Sequence, residues 1–322
     1  MPESILTLSE IQEARKRIRD IAIETPLIKS HVLSQELGIN LYFKCEFIQE
    51  VGSFKVRGAS NKVLSMFEKG YEYNTFVTAS SGNHGIAVSY IAKKMGKKAF
   101  VFAPKVATSH KLALIKLFGA EVIFKGDYSD QAAQYAKEYA EKNNALFIHA
   151  FDDRDVIAGQ GTIGLELIEQ LDEIDYLLIP VGGGGLIAGI SFVIKSMNKN
   201  AKIIGIQPAG NPSLHDALKM GKVVTTLGTN TIAEGLAVRK VGDLVFDIVR
   251  DKVDFVALES DENILKATRL IFEKERILLE PSGAAAFSYL LDHKVEKGSN
   301  VVVILTGRNI SQDRLEKIFY SG

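Results

Sequence analysis

From Leu177 to Ile194 the chain carries no charged side chain, and within that run stand Pro180 and four consecutive glycines, Gly182, Gly183, Gly184 and Gly185. The run is long enough to raise the question of a membrane span. The proline and the glycines argue against one, because they interrupt the continuous helix that a lipid-exposed backbone needs. What remains is a buried strand, a glycine turn and a buried helix. A strand that is apolar on both faces belongs in a parallel sheet covered by helices on both sides.

The same strand–turn–helix order recurs along the chain. Strands are expected at 41–45, 75–79, 99–103, 121–125 and 146–149, with helices at 7–20, 84–95, 109–118 and 129–143. A second series begins near Gly159, with strands at 176–181, 202–207 and 301–305 and helices at 186–197, 262–275 and 283–291. Repeated βα units with short connections predict an α/β fold of two domains, each a mostly parallel sheet flanked by helices, with a cleft between them. The boundaries fall near 50 and 150, giving a larger domain of residues 1–50 plus 150–322 and a smaller one of 51–149.

A lysine gives the cleft its chemistry. Lys55 stands in Ser53-Phe54-Lys55-Val56-Arg57-Gly58-Ala59, at what reads as the first turn of a helix with Ser53 as N-cap. Apolar neighbours desolvate its amine, and a lysine that can lose its proton forms Schiff bases. A surface lysine at a helix start is the plainer alternative. Two turns that can bind anions follow strand-like runs: Ser80-Ser81-Gly82-Asn83-His84-Gly85 and the four glycines. Backbone N–H groups at helix starts bind phosphates and carboxylates. An amine-reactive aldehyde that also bears a phosphate would use all three segments, and pyridoxal 5'-phosphate (PLP) is such a molecule.

Other readings were weighed against this one. Gly183-x-Gly185-x-x-Ala188 also fits a dinucleotide-binding turn, but the next strand ends in Gln207 rather than the acid that holds a ribose hydroxyl. The six histidines include no pair at helical spacing, so no metal site is expected. Asp152, Asp153 and Asp155 read as a solvated loop. With 39 basic and 39 acidic residues, the balanced charge gives no reason to expect nucleic acid or an anionic membrane as partner. A single cysteine, Cys45, and a start without an apolar leader suit a cytoplasmic protein.

In order along the chain, seven segments resemble the fold-type II PLP enzymes (tryptophan synthase β-like), within them the threonine/serine dehydratase and serine racemase branch. They are Glu24–Leu27, Gly52–Ala59, Ser81–Gly85, Ala158–Thr162, Gly182–Leu186, Thr231–Gly235 and Glu280-Pro281. The resemblance implies that Lys55 carries PLP as a Schiff base, with Phe54 beside it, and takes the substrate's α-proton once displaced. It implies that Asn83 bonds the phenolic oxygen, that Gly182, Gly183, Gly184, Gly185 and Leu186 hold the phosphate, and that Thr306 faces the ring nitrogen. Ser80, Ser81, Asn83 and His84 would grip the substrate carboxylate. The large domain would bind PLP in the cleft, in a homodimer or larger homo-oligomer acting on a small amino acid.

The implied activity is deamination of L-threonine or L-serine to a 2-oxo acid and ammonia. The alternative is an amino-acid racemase, of serine or aspartate, with Lys55 and Ser81 as opposed bases. Three departures stand out. Val51 occupies a position where relatives commonly hold Thr. Thr306-Gly307-Arg308-Asn309 replaces Ser-Gly-Gly-Asn. Gln207 and Ser213 fall where racemases of the branch often place cation ligands.

Overall fold

A computed structural model describes residues 5–105, 110–197, 200–228 and 230–320. Its strands are β1 (Leu27–Lys29), β2 (Asn40–Cys45), β3 (Thr75–Ala79), β4 (Lys98–Ala103), β5 (Glu121–Phe124), β6 (Leu146–Phe147), β7 (Tyr176–Pro180), β8 (Lys202–Pro208), β9 (Phe255–Glu259) and β10 (Asn300–Leu305). The helices are α1 (Leu8–Ile18), α2 (His31–Leu37), α3 (Lys55–Glu68), α4 (Asn83–Lys94), α5 (Lys111–Leu117), α6 (Ser129–Lys142), α7 (Arg154–Gln170), α8 (Gly185–Met197), α9 (Ser213–Met220), α10 (Asp243–Val249), α11 (Asp261–Glu275), α12 (Pro281–Ala284), α13 (Tyr289–Asp292) and α14 (Gln312–Tyr320).

The strands make two sheets. One has the order β1-β2-β10-β7-β8-β9 and the other β5-β4-β3-β6. All pairings are parallel except the antiparallel edge pair β1–β2. The apolar run Val301–Leu305 occupies the centre of the six-stranded sheet and is wholly buried, with β2 on one side and β7 on the other. Apolar clusters lie on both faces of each sheet, as parallel strands require.

The expected strand at 75–79 forms residue for residue, and most others agree within a residue or two. Two differ in kind. The strand expected to reach His149 stops at Phe147, and the next carbonyl, of Ile148, is taken by the Thr78 hydroxyl at 2.8 Å and the His84 ring at 3.1 Å rather than by a strand. The helix expected at 283–291 is broken into α12, a 3-10 turn at Ala285–Ser288 and α13. The expected helix 109–118 starts at Lys111, with residue 109 outside the described ones.

Three carboxyl ends of strands face the site. β3 leads into the Ser80–Gly82 turn, β7 into the glycine loop and β10 into Thr306. Ser53 bridges Gly307, and Phe54 N donates to Thr306 O at 3.2 Å, which joins the start of α3 to the end of β10. Ser53 is therefore not the cap of α3: Phe54 holds that position without a side-chain bond, and Ser53 Oγ is buried with no partner. The bridge to Gly307 takes the extended backbone that a cap would otherwise use.

Candidate active site

Lys55 opens α3, half-buried, and its Nζ donates to Ala150 O at 2.9 Å. The amine also lies 5.1 Å from the centre of the Phe54 ring. Among the described residues no carboxylate pairs with it, so desolvation acts unopposed and lowers its pKa to about 8. Two imidazoles share this neighbourhood. His84 Nε2 lies 3.1 Å from Ile148 O, which only accepts, so Nε2 carries the proton and Nδ1 is a buried lone pair with no partner. Burial first, then the Lys55 charge, holds His84 down to about 3, so it is neutral at working pH. Sequence reasoning missed His149, whose Nδ1 accepts from Phe151 N at 3.2 Å and Asp152 N at 2.7 Å. Its pKa too is lowered, chiefly by burial.

Asn83, at the start of α4, sits in a polar chain. Its Nδ2 donates to Glu280 Oε1 at 2.6 Å and its Oδ1 accepts from Asn309 Nδ2 at 2.8 Å. Lys111 Nζ donates to the other Glu280 oxygen. Lys111, Glu280 and Asn309 were not singled out as site residues, though Glu280 and Asn309 lie in segments that were. Each comes from a different part of the chain, so no local spacing marks them. One Asn83 N–H remains for a ligand. Thr306 Oγ1 donates to Ser282 O at 3.3 Å, a long bond that a better partner would displace. Ser80 Oγ accepts from Gly82 N at 3.1 Å, while the half-buried Ser81 hydroxyl bonds no other described residue.

The glycine loop opens α8, and Leu186 packs its first turn into the core. Among the described residues no protein acceptor takes the N–H groups of Gly183 to Ile187, so five successive donors are available at a helix start. The glycines also answer to packing. A Cβ on Gly183 would meet the Phe151 ring at 2.2 Å, and Gly184, at φ +91°, would meet Val245 Cγ1 at 2.5 Å. Gly182 and Gly185 are close to Gly235 O and Phe151 O in the same way.

One expectation about nearby residues changes. The acids read as a solvated loop are helix caps: Asp152 accepts from Asp243 N and Val245 N of α10, and Asp153 caps α7 through Asp155 N and Val156 N. Asp155 binds Ser65 and Lys62 of α3. Gln207 and Ser213 are buried and bonded to each other at 3.1 Å, with Gln207 Oε1 capping Leu214 N and His215 N of α9.

The residues present fit PLP. A half-buried amine without a counter-ion stands with a helix-start loop of free N–H donors, the combination that an aldehyde-phosphate requires. Residues 18–307 match the family described as "Pyridoxal-phosphate dependent enzyme". The chain belongs to that family. This PLP-dependent enzyme is 38% identical to an L-threonine ammonia-lyase of Thermotoga maritima, over 99% of the chain and 79% of that protein. It is 37% identical to a serine racemase of Dictyostelium discoideum, over 98% and 99% respectively. The solved structure of maize serine racemase superposes with a TM-score of 0.92 at 33% identity, covering 99% of this chain and 98% of that one. Among the described residues, no helix of the PLP enzyme is long and apolar enough to cross a membrane.

Proposed function

We propose that this enzyme is an ammonia-lyase that converts L-threonine and L-serine to a 2-oxo acid and ammonia. The observation that carries the reading is the Lys55 amine, held by a single carbonyl and free of any carboxylate. When bound, PLP supplies a conjugated ring that takes up the electron pair left at the substrate α-carbon. The chain's residues supply the rest. Lys55 would hold the cofactor through Nζ, and its amine, when free, would accept the α-proton. The N–H groups of Gly182 to Leu186 would hold the phosphate. Phe54 packs beside the ring, Asn83 offers its remaining N–H to the phenolic oxygen, and Thr306 turns its hydroxyl to the ring nitrogen.

The Ser80–Gly82 turn and the start of α4 at Asn83 and His84 receive the substrate carboxylate, as a helix start does for an anion. The β-hydroxyl leaves as water, and hydrolysis of the resulting imine consumes one water and releases ammonia. The same reading makes residues 51–149 the smaller domain and residues 1–50 with 150–322 the PLP-binding one, in a cytoplasmic homodimer or larger homo-oligomer. The holoenzyme given L-threonine should form 2-oxo acid, and borohydride reduction followed by peptide mapping should label Lys55. Absence of the 2-oxo acid, or label on another lysine, would overturn the assignment.

A racemase activity is the second reading, favoured by the unbonded hydroxyl of Ser81. A proton returned on the face away from Lys55 needs a donor there, and this reading assigns that role to Ser81. Ser81→Ala should abolish racemisation of serine and action on D-substrates while L-threonine deamination falls by about tenfold at most. Chiral chromatography beside a 2-oxo acid assay separates the two. Unchanged racemisation in the variant would remove Ser81 from the chemistry.

A further inference from the structure

Arg57 lies two residues after Lys55, so the two side chains leave α3 on roughly opposite faces. Arg57 is buried and uses every N–H it has. Nε and Nη2 donate to both oxygens of Glu46 at 2.8 Å each, while Nη1 and Nη2 donate to Glu166 at 2.5 and 2.9 Å. The fifth N–H, on Nη1, goes to Thr162 Oγ1 at 3.0 Å, and Ile23 O shares Nη2 at 3.1 Å. Lys44 Nζ closes the group on Glu166 at 2.6 Å, giving two buried cations and two buried anions.

The partners of Arg57 do not move with the four-stranded sheet. Glu46 follows β2 of the six-stranded sheet, and Glu166 is on α7, which packs in that sheet's core. The rest of α3, through Val56, Ala59 and Val63, belongs instead to the core of the four-stranded sheet. Arg57 thus fastens the helix of one sheet to the frame of the other. Glycines close the same contact. A Cβ on Gly58 would lie 2.4 Å from Gln160 Nε2, and one on Gly159 would lie 2.7 Å from Arg57 O. Arg57-Gly58 and Gly159-Gln160 are therefore complementary halves of a single joint, and Lys55 is the residue that the joint aims.

We propose that Arg57 is a positioning residue for Lys55: by gripping Glu46 and Glu166 in a fork, it sets the rotation of α3 and holds the Lys55 amine at Ala150 O, away from water. Lysine in its place keeps the charge but loses the planar fork, so its three N–H groups cannot make two bonds to each carboxylate. The helix then turns, and the amine exchanges its carbonyl partner for solvent. This rests on Lys55 being the cofactor lysine.

The test compares Arg57→Lys with Lys44→Gln, which weakens the same network from β2 without touching α3. In apoprotein, the rate of PLP incorporation against pH reads the Lys55 amine directly. In the parent the midpoint should lie at about 8, where burial holds the amine. Arg57→Lys should raise the midpoint by about one unit, and in holoenzyme lower kcat by about 10²-fold with KM nearly unchanged. Lys44→Gln should lower Tm and leave the midpoint in place. If Arg57→Lys lowers Tm but leaves the midpoint and kcat unmoved, Arg57 is structural only and the proposal fails. Should Arg57→Lys not fold, Glu166→Gln keeps the shape, weakens the same grip, and must move the midpoint in the same direction. Borohydride label on a lysine other than Lys55 in the parent would instead defeat the reading of Lys55 itself.

Discussion

Lys44 and Lys55 lie eleven positions apart and meet opposite fates. Burial lowers the pKa of both. At Lys44 the carboxylates of Glu166 and Glu46 oppose the loss, and the amine serves as one member of a closed ionic group. At Lys55 nothing opposes it, and the pKa falls to about 8. The same residue type is thus made structural in one place and reactive in the other by the presence or absence of a carboxylate. The neutral imidazoles of His84 and His149 near Lys55 extend the contrast, because they are polar groups that bring no anion.

The comparison breaks most visibly on its paired side. Glu166→Ala leaves Arg57 and Lys44 buried with one carboxylate between them, so the cost in stability should be about 3–5 kcal/mol. Denaturant unfolding with unchanged m-value measures it. A loss near 1 kcal/mol would mean that water already reaches the group. On the unpaired side, the cofactor-free protein should react with PLP aldehyde increasingly as pH rises through about 8, rather than through the ordinary lysine range. Parent and His84→Asp compared by stopped flow sharpen the point, since a carboxylate placed near Lys55 should raise that midpoint.

A further effect lies in the acid limb. His84 titrates near 3 in the folded chain against 6.5 in the unfolded one. Between those values the unfolded state binds more protons, so stability rises with pH across that window and is lost as pH falls below 6.5. His84→Gln should flatten that limb in urea titrations at pH 4, 5 and 6. An unaltered slope would place the acid sensitivity elsewhere.

The fold was legible because its signals are local. Thr75–Ala79 alternates between glycine- and asparagine-rich turns, and Val301–Leu305 is apolar on both faces, so each could be read without knowing its neighbours. Lys55 and the glycine loop were legible for the same reason. The Asn83–Glu280–Lys111 chain was not, because its members are separated by most of the sequence and meet only when the sheets do. Asp152 and Asp153 looked like solvated acids because capping depends on where α7 and α10 begin, which their own sequence does not say. The glycine loop reads in sequence as a phosphate site, but its sequence does not say that Phe151 and Val245 forbid a Cβ at three of its positions.

The place of β10 in the six-stranded sheet has a consequence for synthesis. Among the described strands it comes last along the chain, yet it is the neighbour that β2 and β7 share. While residues 300–305 are still inside the ribosome, β2 has only the three-residue β1 beside it and the site's Thr306 does not exist. The four strands of the smaller sheet are all made by residue 147, and of the helices downstream only α7 adds to their core. Assembly should therefore run from the middle of the chain outward, with the cofactor cleft closing only once residues 300–306 have emerged. A chain halted at residue 299 should resist protease across 75–147 and be cut on both sides of it.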